Sequence, residues 1–298
     1  MKLKIYRMYF ETPLKFKPEV EGNFPRSDTI FAAIANIIVE VEGVDALKDF
    51  YRSNPRFSSA FPFYKNKLFF PKPLRPPKRI ENDRELLRVW KRKSWIEEEL
   101  LKDQEATLDV IKREREEKEK RYGDFITKDD ISKFYDEIEI VRNAKHRINE
   151  QTQIFTVYAL KFKKDSGLYF LYLGDMDIDE AVKILGEEGF GGGRSVGYGK
   201  FRVRAESYFW KISGRWNLLL SLCLPERSEV EILKDAYYSL LEKSGWTNSS
   251  RKSRVRVLVE GSVLPKGIDG KILLEDYIDD IKIYRNYLAL TLQMGWWD

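Results

Sequence analysis

The sequence has one cysteine, one histidine, little glutamine and no apolar run long enough to cross a membrane. Each shortage removes a class of protein. A single cysteine forbids an internal disulfide and favours a reducing cytoplasm. Cys223 also lies within the apolar run Leu218 to Leu224, the setting of a buried, inert thiol rather than a nucleophile. With no cysteine pair and no second histidine, a zinc site is not expected. Asp276, Asp279 and Asp280 lack the glycine and spacing of a calcium or magnesium loop. No signal peptide and no stretch of about 18 apolar residues points to secretion or a membrane span. No G-x-S-x-G elbow is present.

What the chain does contain is charge, aromatics and one concentrated run of glycine. It has 298 residues, of which 34% are charged and 14% aromatic, with a net charge of +5. That length suits one large or two ordinary domains, and the mild basicity permits a nucleic-acid partner. Six of the 18 glycines fall between residues 189 and 199, in the stretch Gly189-Phe190-Gly191-Gly192-Gly193-Arg194-Ser195-Val196-Gly197-Tyr198-Gly199-Lys200-Phe201. Glycine lets backbone approach a ligand closely, and Arg194, Ser195 and Lys200 supply donors for phosphate oxygens.

The neighbours of this loop restrict its chemistry. Ile178, Ala181, Val182 and Leu185 follow helical spacing, with Asp177 and Glu180 as a variant capping box. Phe201, Val203 and Ala205 alternate with Lys200, Arg202 and Arg204 as a strand. The order helix, loop, strand is the reverse of a Rossmann or Walker A loop, which disfavours a mononucleotide-binding enzyme. A polyanion-binding loop is the stronger reading, and a turn serving only chain geometry the weaker.

Along the chain, Lys2 to Tyr9 reads as a strand, and Ser27 or Asp28 caps a helix with an Ile30, Ile34, Ile37, Ile38 stripe. Arg56 to Leu74 reads as a hairpin turning at Lys65-Asn66-Lys67, which begins a β-α-β-β-α-β unit. After Pro71, Pro73, Pro76 and Pro77 comes a charged insertion, read as helical to about Glu139, with Trp90, Trp95, Ile96, Leu100 and Leu101 on its packing side. Ile154 to Leu160 and Gly167 to Leu173 resume the unit as strands. Trp216 to Leu224, Arg254 to Leu264 and Ile281 to Leu292 read as further strands, and Glu229 to Leu241 as a helix. The expected fold is therefore α+β, with two tandem ferredoxin-like (RRM-like) domains, 1–208 and 209–298, and a largely helical, thumb-type insertion at about 78–145.

The single histidine, His146, sits among Arg142, Lys145 and Arg147. RNA contact is its favoured reading, ahead of an ordinary loop residue and of general acid-base catalysis, since no partner for catalysis is evident.

The loop GFGGGRSVGYGKF closely resembles the glycine-rich signature of the RAMP proteins of CRISPR systems. The helix start Ser27 to Ala33, the FSSAFPFYKNKLFFPKPL hairpin, the RNAKHRINEQT segment and LVEGSVL resemble the Cas5-like fourth subunit of the Csm (type III-A) effector complex. The resemblance implies a non-catalytic RNA binder without cofactor or metal. Such a subunit caps the 5′ repeat-derived tag of the guide crRNA. It docks the large polymerase/cyclase-like subunit and neighbours a backbone RAMP subunit. It implies RNA contacts at Gly189, Gly191, Gly192, Gly193, Arg194, Ser195, Gly197, Tyr198, Gly199 and Lys200, with Arg142, His146 and Arg147 on the same face. Two rivals stay open: a metal-independent repeat endoribonuclease using His146, and a protein-interaction scaffold with little RNA affinity of its own.

Overall fold

The computed structural model describes residues 1–15, 24–117, 123–129, 134–145, 152–246, 251–278 and 281–297. The first half begins with strand β1 (Lys2–Phe10), helices α1 (Ser27–Val41) and α2 (Val44–Arg52), the short β2 (Arg56–Phe57), and the hairpin β3 (Phe61–Tyr64) and β4 (Lys67–Pro71). The insertion supplies α3 (Lys78–Glu81), α4 (Arg84–Lys91), β5 (Trp95–Glu97), α5 (Glu98–Lys102), α6 (Gln104–Glu117) and β6 (Phe125–Ile126). A long hairpin, β7 (Tyr135–Lys145) and β8 (Thr152–Phe162), precedes β9 (Ser166–Leu173), α7 (Asp179–Glu188) and β10 (Phe201–Phe209).

These strands form one sheet in the order β10-β1-β9-β3-β4-β5-β6, with β2 also on β9 and the hairpin β7–β8 apart. The expected β-α-β-β-α-β order of elements is present in this half, and β1 lies between β9 and β10. Its two faces support different cores. Tyr6 and Met8 pack with Ile30, Ile34 and Phe50 beneath α1 and α2, and with Val182 and Leu185 of α7. Leu3 and Ile5 pack on the other side with Ile80, Trp90, Leu100 and Ile111 of the insertion. The insertion is therefore not a free-standing thumb over its whole length: its helices and β5–β6 cover and extend the sheet. Burial on both faces explains why β1 shows no clean polar alternation.

Helix does not continue to Glu139. The described part of α6 is Gln104–Glu117, and Tyr135 to Lys145 is strand, because Ile138 and Ile140 alternate with Glu137 and Glu139 at the period of two that pairs β7 with β8. At the start of α1, Arg26 occupies the cap position, and its side chain pairs with Glu260 rather than capping the helix. Ser27 instead accepts from Leu222 N–H at 2.9 Å, and Asp28 pairs with Lys243 at 3.2 Å, so both expected caps serve long-range contacts.

The second half contains β11 (Trp216–Leu219), a 3-10 run (Arg227–Asp235), β12 (Leu240–Trp246), β13 (Arg251–Leu258), β14 (Val263–Pro265), β15 (Gly270–Ile278), β16 (Ile281–Leu288) and β17 (Thr291–Met294). It carries no α-helix among the described residues, so the expected Glu229–Leu241 helix is corrected. The buried Glu229 carboxylate accepts from the N–H groups of Glu226, Asp269 and Gly270. Tyr237 exchanges backbone bonds with Val263, and Leu240 pairs with Leu258. These tertiary bonds outweigh the helical spacing. Arg254–Leu264 divides at residues 259–262 between two sheets, and Ile281–Leu292 divides at Ala289-Leu290. Leu218, Leu220, Leu290 and Met294 join the same core as Leu3 and Ile5, so the halves share buried surface. Cys223 is fully buried, and burial pushes its thiol up to about 12.

Candidate nucleic-acid interface

The glycine loop is closed at its base by the Phe190 N–H donating to Gly199 O at 2.9 Å. It leans on the segment after β1: Gly192 N–H donates to Lys15 O, Gly199 N–H to Pro13 O and Lys200 N–H to Thr12 Oγ1, at 2.9, 3.0 and 2.9 Å. The same segment braces the β7–β8 hairpin, since Leu14 and Leu160 exchange two backbone bonds of 2.8 Å. One 3-10 turn, Arg194–Val196, forms the exposed tip. The N–H groups of Gly191, Gly193, Arg194 and Ser195 have no acceptor among the described residues.

Chain geometry accounts for most of the glycine content. Gly189, Gly191, Gly193, Gly197 and Gly199 have φ between 74° and 96°. A Cβ on Gly189 would lie 2.4 Å from Tyr198 O, and one on Gly199 only 1.9 Å from Phe190 O. Gly192 differs: its nearest neighbour to a Cβ would be at 3.6 Å, so an alanine fits there. The loop's suitability for a polyanion therefore rests on its cations and on the amides that lack an acceptor among the described residues, more than on its glycines.

Those cations are largely open to solvent. Arg194 is half exposed and 3.5 Å from Glu188. Lys200 is exposed and has no ion pair among the described residues. Sequence reasoning left out Lys15, Arg202 and Arg204, which the structure places beside the loop or in line with it. Lys200, Arg202 and Arg204 share one side of edge strand β10, a stripe visible in their alternation. Glu11 approaches Arg202 at 2.5 Å, and Glu206 pairs with Arg7, so the stripe is partly balanced.

Arg142 reaches the loop from the hairpin. Its Nη2 donates to Tyr198 Oη at 3.1 Å, and its guanidinium carbon lies 5.1 Å from the centre of that ring. The structure thus brings Arg142, Tyr198, Arg194 and Lys200 onto one assembly. His146 and Arg147 lie outside the described residues, as do Asp279 and Asp280. The hairpin also exposes apolar groups: Val141, which the sequence reading left within the insertion, and Ile154 and Tyr158, which it treated as an ordinary strand stripe, are 69%, 71% and 53% exposed. Their register places all three on one face, turned away from the face that carries Arg142. Amides, guanidinium groups and exposed side chains in this arrangement can hold an extended phosphodiester and its bases. Among the described residues no cluster of three or more acidic, cysteine or histidine side chains is placed to bind a metal ion.

Comparison with known proteins gives a consistent set of relatives. Residues 213–294 match the family described as the CRISPR Csm4 C-terminal domain. A curated relative, CRISPR system Cms protein Csm4 from Thermococcus onnurineus (strain NA1), is 29% identical over 270 residues, covering 85% of this chain and 86% of the relative. The crystal structure of a Csm1–Csm4 cassette in complex with cA4 is similar in fold, with a TM-score of 0.66, 20% identity, and coverage of 99% and 98% of the two chains. A Csm3–Csm4 subcomplex of the type III-A interference complex gives a TM-score of 0.65 at 19% identity, covering 99% and 100%.

Proposed function

We propose that this chain, similar to the Csm4 proteins of type III CRISPR Csm complexes, is a RAMP subunit with a non-catalytic role in gripping the 5′ repeat-derived tag of the guide crRNA. The observation that carries this reading is the junction of Arg142 with Tyr198. It joins the hairpin to the glycine loop and collects Arg142, Arg194, Lys200 and several amides without an acceptor among the described residues. Tag phosphates lie against those amides and cations, while splayed bases meet the exposed hairpin. The subunit works in the cytoplasm as the Cas5-like cap of a type III-A complex. It docks the large polymerase/cyclase-like subunit on one side and a backbone RAMP subunit on the other. The Csm1–Csm4 and Csm3–Csm4 relatives support that arrangement.

The test is a titration of the purified chain with end-labelled repeat-derived RNA in EDTA, the products being separated on a denaturing gel. Binding that weakens steeply with salt, with the RNA intact, is the expected result. Cleavage at one position would replace the cap with an endoribonuclease. Binding that is independent of salt would remove the phosphate contacts from the proposal.

A further inference from the structure

A second cationic site lies where the proline-rich segment after β4 meets the C-terminal sheet. Arg75 is enclosed by three rings: its guanidinium carbon is 4.8 Å from the centre of Trp216, 4.7 Å from Tyr237 and 5.4 Å from Trp297. Its Nε and Nη1 are shut off from solvent and donate to nothing among the described residues. No carboxylate among them pairs with it either. A buried guanidinium is normally satisfied by an oxygen acceptor, and leaving its N–H groups empty costs more than a neutral group would. The aromatic faces offset part of that cost through their quadrupoles, but they accept no in-plane hydrogen bond.

The same arginine lines an open cleft of about 600 Å³, together with Arg215, Lys234, Asp235 and Pro265. Lys234 is already paired with Glu231, so the cleft's unmet demand for an acceptor rests on Arg75. Its wall mixes charged groups with the rings of Trp216, Tyr237 and Trp297, and the chain beside it stays exposed: Tyr237, Tyr238 and Leu240 are 39%, 42% and 51% exposed, and Val230 52%. The cleft shares no lining residue with the glycine loop. Arginine with tyrosine and tryptophan around an open cleft is the composition of an interface anchor point, not of a polyphosphate track with its repeated exposed cations.

We propose that the Arg75 cleft is a docking site for a protein segment that presents one carboxylate flanked by apolar side chains. The carboxylate supplies the missing acceptor to Arg75, and the apolar neighbours cover Tyr237, Tyr238 and Leu240. Charge complementarity selects this occupant: a neutral apolar peptide leaves the guanidinium unsatisfied, and a polyanion leaves the apolar rim uncovered.

The experiment uses the full chain with ¹⁵N-labelled arginine and follows the Arg75 Nε–H signal by NMR, assigned by its loss in Arg75→Lys. The probes are N-acetyl-Leu-Glu-Leu-amide, its glutamine counterpart, and hexauridylate. The glutamate peptide is expected to shift the signal saturably, with the glutamine peptide about tenfold weaker or worse, the equivalent of one charge-assisted hydrogen bond. Hexauridylate is expected to leave this signal in place while moving those of loop arginines. A shift driven by hexauridylate instead would make the cleft a nucleic-acid site and overturn the proposal. No shift with any probe would mean that the ring cage is structural alone, which also overturns it. Because the readout is one arginine, failure here leaves RNA binding at the glycine loop unaffected, and the reverse.

Discussion

The glycine loop and the proline-rich segment both present arginine, yet they hold it in opposite ways. In the loop, backbone does the holding: hydrogen bonds to Pro13, Lys15 and Thr12 set the chain path, and the charged ends of Arg194 and Lys200 stand in solvent. In the proline-rich segment, side chains do the holding: Arg75 lies among Trp216, Tyr237 and Trp297, and Lys72 lies 4.9 Å from the Trp90 ring. A solvated cation contributes little to stability but is free to meet any phosphate that passes. A desolvated cation contributes packing and selects its counter-ion strictly. The difference teaches that a cation's role follows from its burial rather than from its residue type.

The comparison is broken most directly at Gly199. Gly199→Ala places a Cβ against Phe190 O on a backbone with φ of 74°, so a loss of about 4 kcal/mol in urea unfolding is expected. A wild-type midpoint would show that the loop is not held by its backbone. Next comes the contrast between two arginine truncations. Arg75→Ala should lower stability by roughly 2 kcal/mol, through lost stacking on three rings. Arg194→Ala should stay within about 0.5 kcal/mol of wild type. Equal losses would erase the distinction between the two regions.

Lys72 sharpens it through pH. Burial pushes its amine down to about 8, against an ordinary value of 10.5. Below pH 8 the amine is charged in both folded and unfolded chains, so the full desolvation cost, roughly 3 kcal/mol, is present. Between pH 8 and 10.5 the folded chain releases the proton while the unfolded chain keeps it, so this group's contribution to stability rises with pH. Lys72→Met should therefore stabilise the protein by about 1 kcal/mol at pH 7, after loss of the cation–ring contact. That gain should fade towards pH 10.5. Thermal unfolding at the two pH values decides it, and a gain that is constant with pH would refute the buried amine.

The smallest effects belong to RNA binding. Arg194→Ala should flatten the salt dependence by about 0.7 in log–log slope, the share of one single-strand phosphate contact. Gly192→Ala should weaken binding at an unchanged unfolding midpoint, since a methyl fits the loop but stands where a backbone contact would form. Unchanged affinity would shift the contact surface from Gly192 to the side chains alone.

Much of the first half was readable from local pattern. The β3–β4 hairpin turns at Lys65-Asn66, α7 follows its apolar spacing, and β10 follows its alternation, because each signal lies within a dozen residues. The loop's boundaries were legible for the same reason. What its glycines do was not, since the clash of Gly199 with Phe190 O and of Gly191 with Lys15 O depends on a chain path closed in three dimensions. Arg142 was placed on the face of the loop by resemblance; its bond to Tyr198, 56 residues away, emerged only from the fold. The apolar side chains Ile154 and Tyr158 read as a strand stripe and Val141 as part of the insertion, and only the structure left them in solvent.

By itself, the sequence determined that no internal disulfide can form, the helix-loop-strand order around residues 189–201 and most elements of the first half. Those properties follow from residue chemistry and short-range periodicity. Tertiary structure decided that the insertion covers the sheet and that Glu229 draws its segment out of a helix. It also decided that Arg75 sits among rings from the distant positions 216, 237 and 297. These outcomes depend on which distant residues exclude water from one another, and burial shared across more than a hundred residues leaves no periodic trace in the chain.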